Sequence, residues 1–149
     1  MNSKLRSSLL NAATIFGEEN SVKQANRYFA NCMKNNFQIP PDLRLTVYST
    51  GVREGDIEQW NFAWSKMINT KVPSEQRLLL KALSQTRNPF LLNQFLNYSL
   101  DKDKIKPQDT AQVIIDVARN PVGRALAWKF IRENWTTILN LFGKGRYVI

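Results

Sequence analysis

Apolar residues recur at intervals of three and four along most of this chain, which is the spacing of one helix face. One such stripe comprises Ile57, Trp60, Trp64, Met67 and Ile68. The alternation of apolar and polar residues that is typical of strands is missing, as are Asn-Gly hairpin turns. The pattern predicts an all-α fold.

Helices are predicted over residues 5–16, 22–33, 41–51, 57–68, 78–83, 91–100, 113–118 and 122–135, with 138–142 continuing the last. The first carries the apolar positions Leu5, Leu9, Ala12 and Phe16, and Gly17 and Gly51 are expected to end helices. Ser21 is expected to cap the second helix. Asn88-Pro89 and Asn120-Pro121 each predict an N-cap followed by proline in the first turn.

Prolines punctuate the chain at intervals close to the length of one helix pair. Pro41 and Pro73 are 32 residues apart, Pro73 and Pro107 are 34 apart, and Pro89 precedes Pro121 by 32. This period predicts an α-α superhelix of stacked antiparallel helix pairs, a HEAT-like or armadillo-like solenoid, forming a single domain over 1–149. Residues 143–149 break the helical pattern, so we expect the superhelix to be truncated at its carboxyl end.

The chain carries 21 basic and 12 acidic residues, a formal net charge of +9. Such an excess could attract RNA. However, the basic residues stand singly, and Lys102 and Lys104 alternate with Asp101 and Asp103. Solvated helix faces are therefore favoured and no nucleic-acid partner is expected. No stretch resembles a membrane span or a signal peptide, so the fragment is expected to be soluble.

Catalytic chemistry is restricted by the absence of histidine. A Ser-His-Asp triad, a Cys-His pair and an H-E-x-x-H zinc helix are all excluded. Cys32 is the only cysteine, so no thiolate metal site can form, and we expect this side chain to pack in the core. The sequence predicts no catalytic, cofactor-binding or metal-binding residue.

Two pairs of tryptophans and two asparagines are further candidates. Trp60 and Trp64 are four residues apart and Trp128 and Trp135 seven apart, a spacing that predicts buried helix faces more strongly than stacking platforms. Asn97 and Asn134 each begin an N-x-S/T sequon, a possible N-glycosylation site if the parent protein is secreted.

Five segments resemble, in order, the carboxyl-terminal domain of the M1 family of zinc aminopeptidases, which includes the aminopeptidase N, endoplasmic-reticulum and oxytocinase types. The segments are Arg44 with Val47 and Tyr48, Trp60 with Phe62 and Trp64, Ser74-Glu75, residues 105–109, and residues 119–135. The resemblance implies a non-catalytic HEAT-like domain that walls and gates the peptide cavity of a parent removing amino-terminal residues from peptides. It places the zinc in an upstream catalytic domain.

The resemblance also implies partners: the catalytic domain of the same parent, the peptide substrate and a homodimer partner. Under this hypothesis, Arg119 and Arg124 are candidates for binding a peptide carboxylate in the cavity, the alternative being solvated charge at helix ends. The compartment is left open; a membrane-anchored ectodomain, extracellular or in the ER lumen, is one alternative for the parent. Many secreted relatives carry a cysteine pair where this chain has Thr14 and Ser21, and this departure counts against an extracellular location. The competing function is a free-standing α-solenoid adaptor that binds a partner protein.

Overall fold

The computed structural model of the chain describes residues 3–15 and 18–144. These residues contain nine α-helices and no strand. The helices are α1 (Ser3–Ile15), α2 (Glu19–Asn35), α3 (Arg44–Glu54), α4 (Ile57–Asn69), α5 (Pro73–Leu83), α6 (Pro89–Ser99), α7 (Pro107–Arg119), α8 (Arg124–Glu133) and α9 (Trp135–Lys144), with a 3₁₀ turn at Pro41–Leu43 before α3. The predicted all-α fold is confirmed.

The chain divides into two compact units, Met1–Thr86 and Arg87–Ile149. In the first unit, α3 packs against α2, α4 and α5, and α4 packs against α5. In the second, α7 packs against α6 and α8, α6 also contacts α8, and α8 contacts α9. Helices thus pack against near neighbours in sequence, as predicted for adjacent pairs. That residues 1–149 form a single domain stays a prediction.

The core of the first unit contains Trp60, which is 1% exposed. Its indole nitrogen donates a hydrogen bond to the Leu83 carbonyl at 3.2 Å, and its ring stacks on Trp64 at 5.6 Å. The core role predicted for Trp60 is confirmed, whereas Trp64 is only half-buried. The prediction was wrong for Ile57 and Ile68, each 54% exposed, because α4 turns Trp60, Ala63 and Met67 inward instead. Buried core side chains of this kind supply most of the stability of a helical domain.

The apolar stripe predicted for the first helix is also exposed where it is described. Leu5 and Leu9 are each 53% exposed. Period 3.6 identifies an apolar face but does not identify what covers it. Helix α1 contacts α2, α3 and the 3₁₀ turn, yet these two leucines stay about half exposed. Phe16 and Gly17, predicted to complete and end this helix, lie outside the described residues.

Gly51 is a position where the sequence prediction was wrong. It lies inside α3, which continues to Glu54 and ends at Gly55. A Cβ atom on Gly51 would overlap the ring of Phe29 in α2. The glycine therefore permits close approach of two helices rather than ending one.

Helix α2 begins at a carboxylate and not at the predicted Ser21. Glu18 is the N-cap, and its side-chain oxygens accept hydrogen bonds from the backbone N–H groups of Asn20 at 3.2 Å and Ser21 at 2.6 Å. Hydrogen bonds from the side chain and backbone of Ser21, and from the backbone of Asn20, hold the pKa of Glu18 below its ordinary value. An acidic cap also suits the positive end of the helix dipole.

The two predicted Asn-Pro helix starts have different outcomes. Asn88 is confirmed as the N-cap of α6, accepting from the backbone N–H groups of Phe90 at 2.9 Å and Leu91 at 3.4 Å. Asn120 was wrongly predicted, because it ends α7, and α8 begins only after Gly123. Its side chain accepts from the N–H of Val122 at 3.0 Å, which closes a local turn instead of a helix.

The predicted long helix 122–135 is interrupted. Asn134 donates both its backbone N–H and its side-chain amide to the carbonyl of Phe130, at 3.0 and 2.9 Å, and α9 starts at the next residue. Trp128 and Trp135 are 58% and 54% exposed, so the prediction that they are buried was wrong. Helix α8 buries Ala127 and Phe130 instead.

At the carboxyl end, the predicted break at Gly143 does not occur, because α9 continues to Lys144. Residues 145–149 lie outside the described part. Among the described helices, none combines the length and apolarity required to cross a bilayer.

Candidate binding groove

A groove of about 350 Å³ lies between α6 and α8 in the second unit. Its lining residues recur at helical spacing on one face of each helix. They are Pro89, Phe90, Asn93 and Asn97 from α6, and Leu126, Lys129, Phe130 and Glu133 from α8, followed by Asn134. The groove is therefore a product of two amphipathic faces brought side by side.

The groove combines apolar and hydrogen-bonding surface. Phe130 is buried, whereas Phe90 is 84% exposed, a degree of exposure unusual for a phenylalanine. Asn93 and Asn97 are exposed along the same face of α6. Their amides can donate and accept hydrogen bonds, and an exposed aromatic ring offers a flat apolar surface. The groove thus suits a ligand that has both hydroxyl or amide groups and an apolar face.

Charge contributes little to this groove. The Lys129 ammonium and the Glu133 carboxylate lie 3.9 Å apart, one turn from each other on α8, and both side chains are well exposed. An exposed pair of this kind contributes at most about 1 kcal/mol to stability. Because the two charges are opposite and adjacent, this pair gives the groove little net charge.

A second cavity of about 480 Å³ lies beside the segment that joins α6 to α7. Its lining includes residues 99–103 and, from the following helices, Thr110 and Leu141. Two charged groups of this segment are engaged locally: the Asp101 carboxylate accepts the backbone N–H of Asp103 at 3.0 Å, and the Lys104 ammonium lies 4.7 Å from the centre of the Tyr98 ring. The segment is built by its own capping and cation–π contacts.

The described residues of this chain do not fit a zinc site. Within residues 3–15 and 18–144 no three His, Cys, Asp or Glu side chains come together as metal ligands, and the sequence contains no histidine. Cys32 is 3% exposed in the first unit, as predicted. It lies near Tyr48, whose pKa is raised chiefly by burial, with Cys32 and Glu75 adding to the effect.

The structure brings together two of the four predicted site residues. Asn97 and Asn134 line the same groove from α6 and from the end of α8. Arg119 ends α7 and Arg124 begins α8; both are exposed, and neither lines the two cavities described above. The role suggested for the two arginines stays a prediction.

Sequence reasoning missed the groove itself. The spacing of Phe90, Asn93 and Asn97 is the one signal in the sequence, and it shows only that these residues share a helix face. The opposite wall depends on the packing of α6 against α8, which are separated by the whole of α7.

The fold and the groove define a class: an all-α protein of neighbouring helix pairs whose described residues form a candidate groove and no metal-ligand cluster. Comparison with known proteins gives the family. The whole chain, residues 1–149, matches the ERAP1-like C-terminal domain. The chain is 38% identical over 146 residues to the human thyrotropin-releasing hormone-degrading ectoenzyme, covering 97% of the chain and 14% of that protein.

Two further relatives are aminopeptidases by name. Over 113 residues, or 76% of the chain, the identity is 39% to mouse aminopeptidase N and 36% to human aminopeptidase N, and 12% of each relative is covered. The chain therefore belongs to the ERAP1-like C-terminal domain family of the M1 zinc aminopeptidases. It spans only 14% of the length of the first of these relatives and 12% of the aminopeptidases N.

Proposed function

We propose that this chain walls and gates the peptide cavity of an M1 zinc aminopeptidase that removes amino-terminal residues from peptides. The observation that carries the proposal is the family match over residues 1–149, combined with relatives of which the chain covers only 14%. The domain accordingly works as one part of a longer chain. Zinc and the catalytic residues belong to the catalytic domain of that parent, in agreement with the lack of histidine here.

The partners follow from this role. The domain contacts the catalytic domain of its own parent and the peptide substrate, and it contributes to a homodimer interface. One relative is an ectoenzyme by name, and we extend this location to the parent, so that the domain is exposed outside the cell. Gating requires the domain to move relative to the catalytic centre as substrates enter and products leave.

Arg119 and Arg124 are assigned to the peptide carboxylate. Both guanidinium groups lie on exposed helix ends flanking one turn. Guanidinium binds a carboxylate through two parallel hydrogen bonds, and charge-assisted bonds of this type contribute about 1.5–3 kcal/mol each. Loss of both arginines should therefore weaken binding of a free peptide about tenfold or more, without changing the chemistry at zinc.

The test is reconstitution of the peptidase from its parts. The catalytic portion of the parent is mixed with this chain in equal amounts, and particle size and aminopeptidase activity are followed together. We expect one complex whose preference for peptide length differs from that of the catalytic portion alone. The double variant Arg119→Ala/Arg124→Ala should raise KM for peptides with a free carboxylate and leave a small aminoacyl anilide unaffected.

Arg132→Ala is the matched control, because Arg132 is an exposed arginine in the last turn of α8. Failure of a well-folded chain to associate would refute the lid role and favour the free-standing adaptor. An unchanged KM in the double variant, together with normal association, would refute only the assignment of the two arginines.

A further inference from the structure

Both sequons of this chain converge on the groove between α6 and α8. Asn97 and Asn134 are 37 positions apart in sequence, yet both line the groove. The groove also presents Phe90, 84% exposed, and the exposed amide of Asn93. One wall of the groove thus carries an acceptor asparagine, an exposed aromatic ring and an exposed side-chain amide. This arrangement suits a sugar.

We propose that the groove holds the N-linked glycan of Asn97, with the first sugar beside Asn93 and the next against the ring of Phe90. The inference rests on the proposed location of the domain outside the cell. Asn97, Asn93 and Phe90 lie at intervals of four and three residues on one face of α6. At 1.5 Å per residue, the distance from Asn97 to Phe90 along the helix is about 10 Å, which two linked sugar rings can cover.

The chemistry of this wall matches the inner sugars of such a glycan. N-acetylglucosamine has a face of C–H groups that packs on an aromatic ring, whose electron-rich face attracts their partial positive charge. Its acetamido and hydroxyl groups both donate and accept hydrogen bonds, as the Asn93 side chain does. The sugars are uncharged, which agrees with a groove whose Lys129 and Glu133 charges offset each other.

The structure distinguishes the two sequons. The side-chain nitrogen of Asn134 donates to the Phe130 carbonyl at 2.9 Å, where it helps to end α8, and Asn134 is half-buried. A sugar on that nitrogen would replace one of its two hydrogens and crowd this half-buried contact. Asn97 is exposed in the last turn of α6 and lines the groove, so a sugar on its amide has room there. Asn97 is therefore the acceptor that the fold accommodates.

Transfer of the glycan must precede folding of the second unit, so the folded contacts act on chains that are already modified and not at the transfer step. Ser99, the third residue of the sequon, is 1% exposed, and its hydroxyl donates to the Leu96 carbonyl at 2.5 Å. The donor is an oligosaccharide on a polyprenyl diphosphate. The bond from sugar C1 to the amide nitrogen of Asn97 forms as the bond from C1 to the diphosphate oxygen breaks, and the amide loses one proton.

The experiment uses the full chain secreted from eukaryotic cells behind a cleaved leader. Peptide mapping by mass spectrometry should find the glycan on Asn97 and not on Asn134. Thermal unfolding is then compared for the chain, for Asn97→Gln, for Phe90→Ala and for the double variant. We expect loss of the glycan to lower Tm by about 3 °C when Phe90 is present and by less than about 1 °C when it is absent.

Trp128→Ala is the matched control for loss of an exposed aromatic ring. Trp128 is 58% exposed on α8 and does not line the groove, so the full loss of about 3 °C should persist in that background. An unmodified Asn97 in the secreted chain would disprove the glycosylation site. If loss of the glycan lowered Tm equally with and without Phe90, the packing of the sugar on the Phe90 ring would be disproved. Reconstitution of the peptidase with unglycosylated chain is independent of both results, so a failure there concerns the proposed function alone.

Discussion

Gly51 shows how one residue decides the contact between two helices. The ring of Phe29 already occupies the space that a methyl group on the Cα atom of Gly51 would need. In a close-packed interior such an overlap displaces a side chain or a backbone segment. Gly51 thus has a specific structural role in the first unit, which is to allow α2 and α3 to approach closely.

The variant Gly51→Ala should lower the free energy of unfolding by about 1–3 kcal/mol, because the added methyl group forces α2 and α3 apart. Chemical denaturation followed by circular dichroism measures the change. Gly143→Ala is the control: Gly143 is an exposed residue of α9, and nothing lies within 4 Å of a Cβ placed there. That substitution should raise stability by up to about 1 kcal/mol through helix propensity, so equal effects at the two glycines would contradict the packing argument.

Individual residues also show the limit of pattern reading. Trp60 and Trp128 stand in stripes of similar spacing, but the first is 1% exposed and the second 58% exposed. The period identifies residues that share a face, and burial depends on which other helix covers that face. In α8 the covered face is the one that carries Ala127 and Phe130.

At the scale of the helix, the carboxylate of Glu18 makes the start of α2 sensitive to pH. Its folded pKa is lowered by the hydrogen bonds it accepts, relative to an ordinary value of 4.5. A lowered folded pKa stabilises the fold above the unfolded pKa, and this stabilisation is lost as pH falls through the folded pKa. The contribution of the cap is therefore complete at neutral pH and absent in strong acid.

The variant Glu18→Gln should accordingly lower Tm at pH 7 and match the unsubstituted chain in strong acid, below the folded pKa of Glu18. Thermal scans across pH 2 to 7 measure the difference between the two chains. Glu58→Gln, at an exposed carboxylate in the first turn of α4, controls for loss of charge near a helix start. If the difference in Tm between the Glu18→Gln variant and the unsubstituted chain persisted unchanged in acid, the role of the carboxylate would be disproved.

Helix existence was easier to predict than helix ends. Pro73, Pro89 and Pro107 each occupy the first turn of a helix, because proline has the required φ angle and lacks an N–H that would be unpaired there. Asn120-Pro121 has the same local signature but sits in a turn, since the backbone from Asn120 to Gly123 closes on itself before α8 begins. Local chemistry allows both outcomes, and packing selects one.

At the scale of the whole molecule, we predict that the two units unfold cooperatively, as one domain. One family domain matches residues 1–149, and we expect the chain to unfold in a single transition. In the variant Trp128→Phe/Trp135→Phe, the remaining tryptophans, Trp60 and Trp64, report on the first unit. Fluorescence and far-ultraviolet circular dichroism should then give the same Tm.

Adding Gly51→Ala to that variant makes the test sharper. In a cooperative domain both signals move together to lower temperature, although the substitution lies only in the first unit. If the fluorescence transition moved alone while part of the circular dichroism signal kept its original Tm, the two units would be separate domains.

The sequence by itself determined the all-α class, the pairing of neighbouring helices and the membership in the M1 family, because these follow from short-range periodicity, helix-start residues and ordered motifs. It also named Asn97 and Asn134 as sequons. Only the tertiary structure decided that both line one groove beside Phe90, and that Gly51 faces Phe29. These relations join residues distant in sequence, and the physical reason is that packing energies depend on which faces meet.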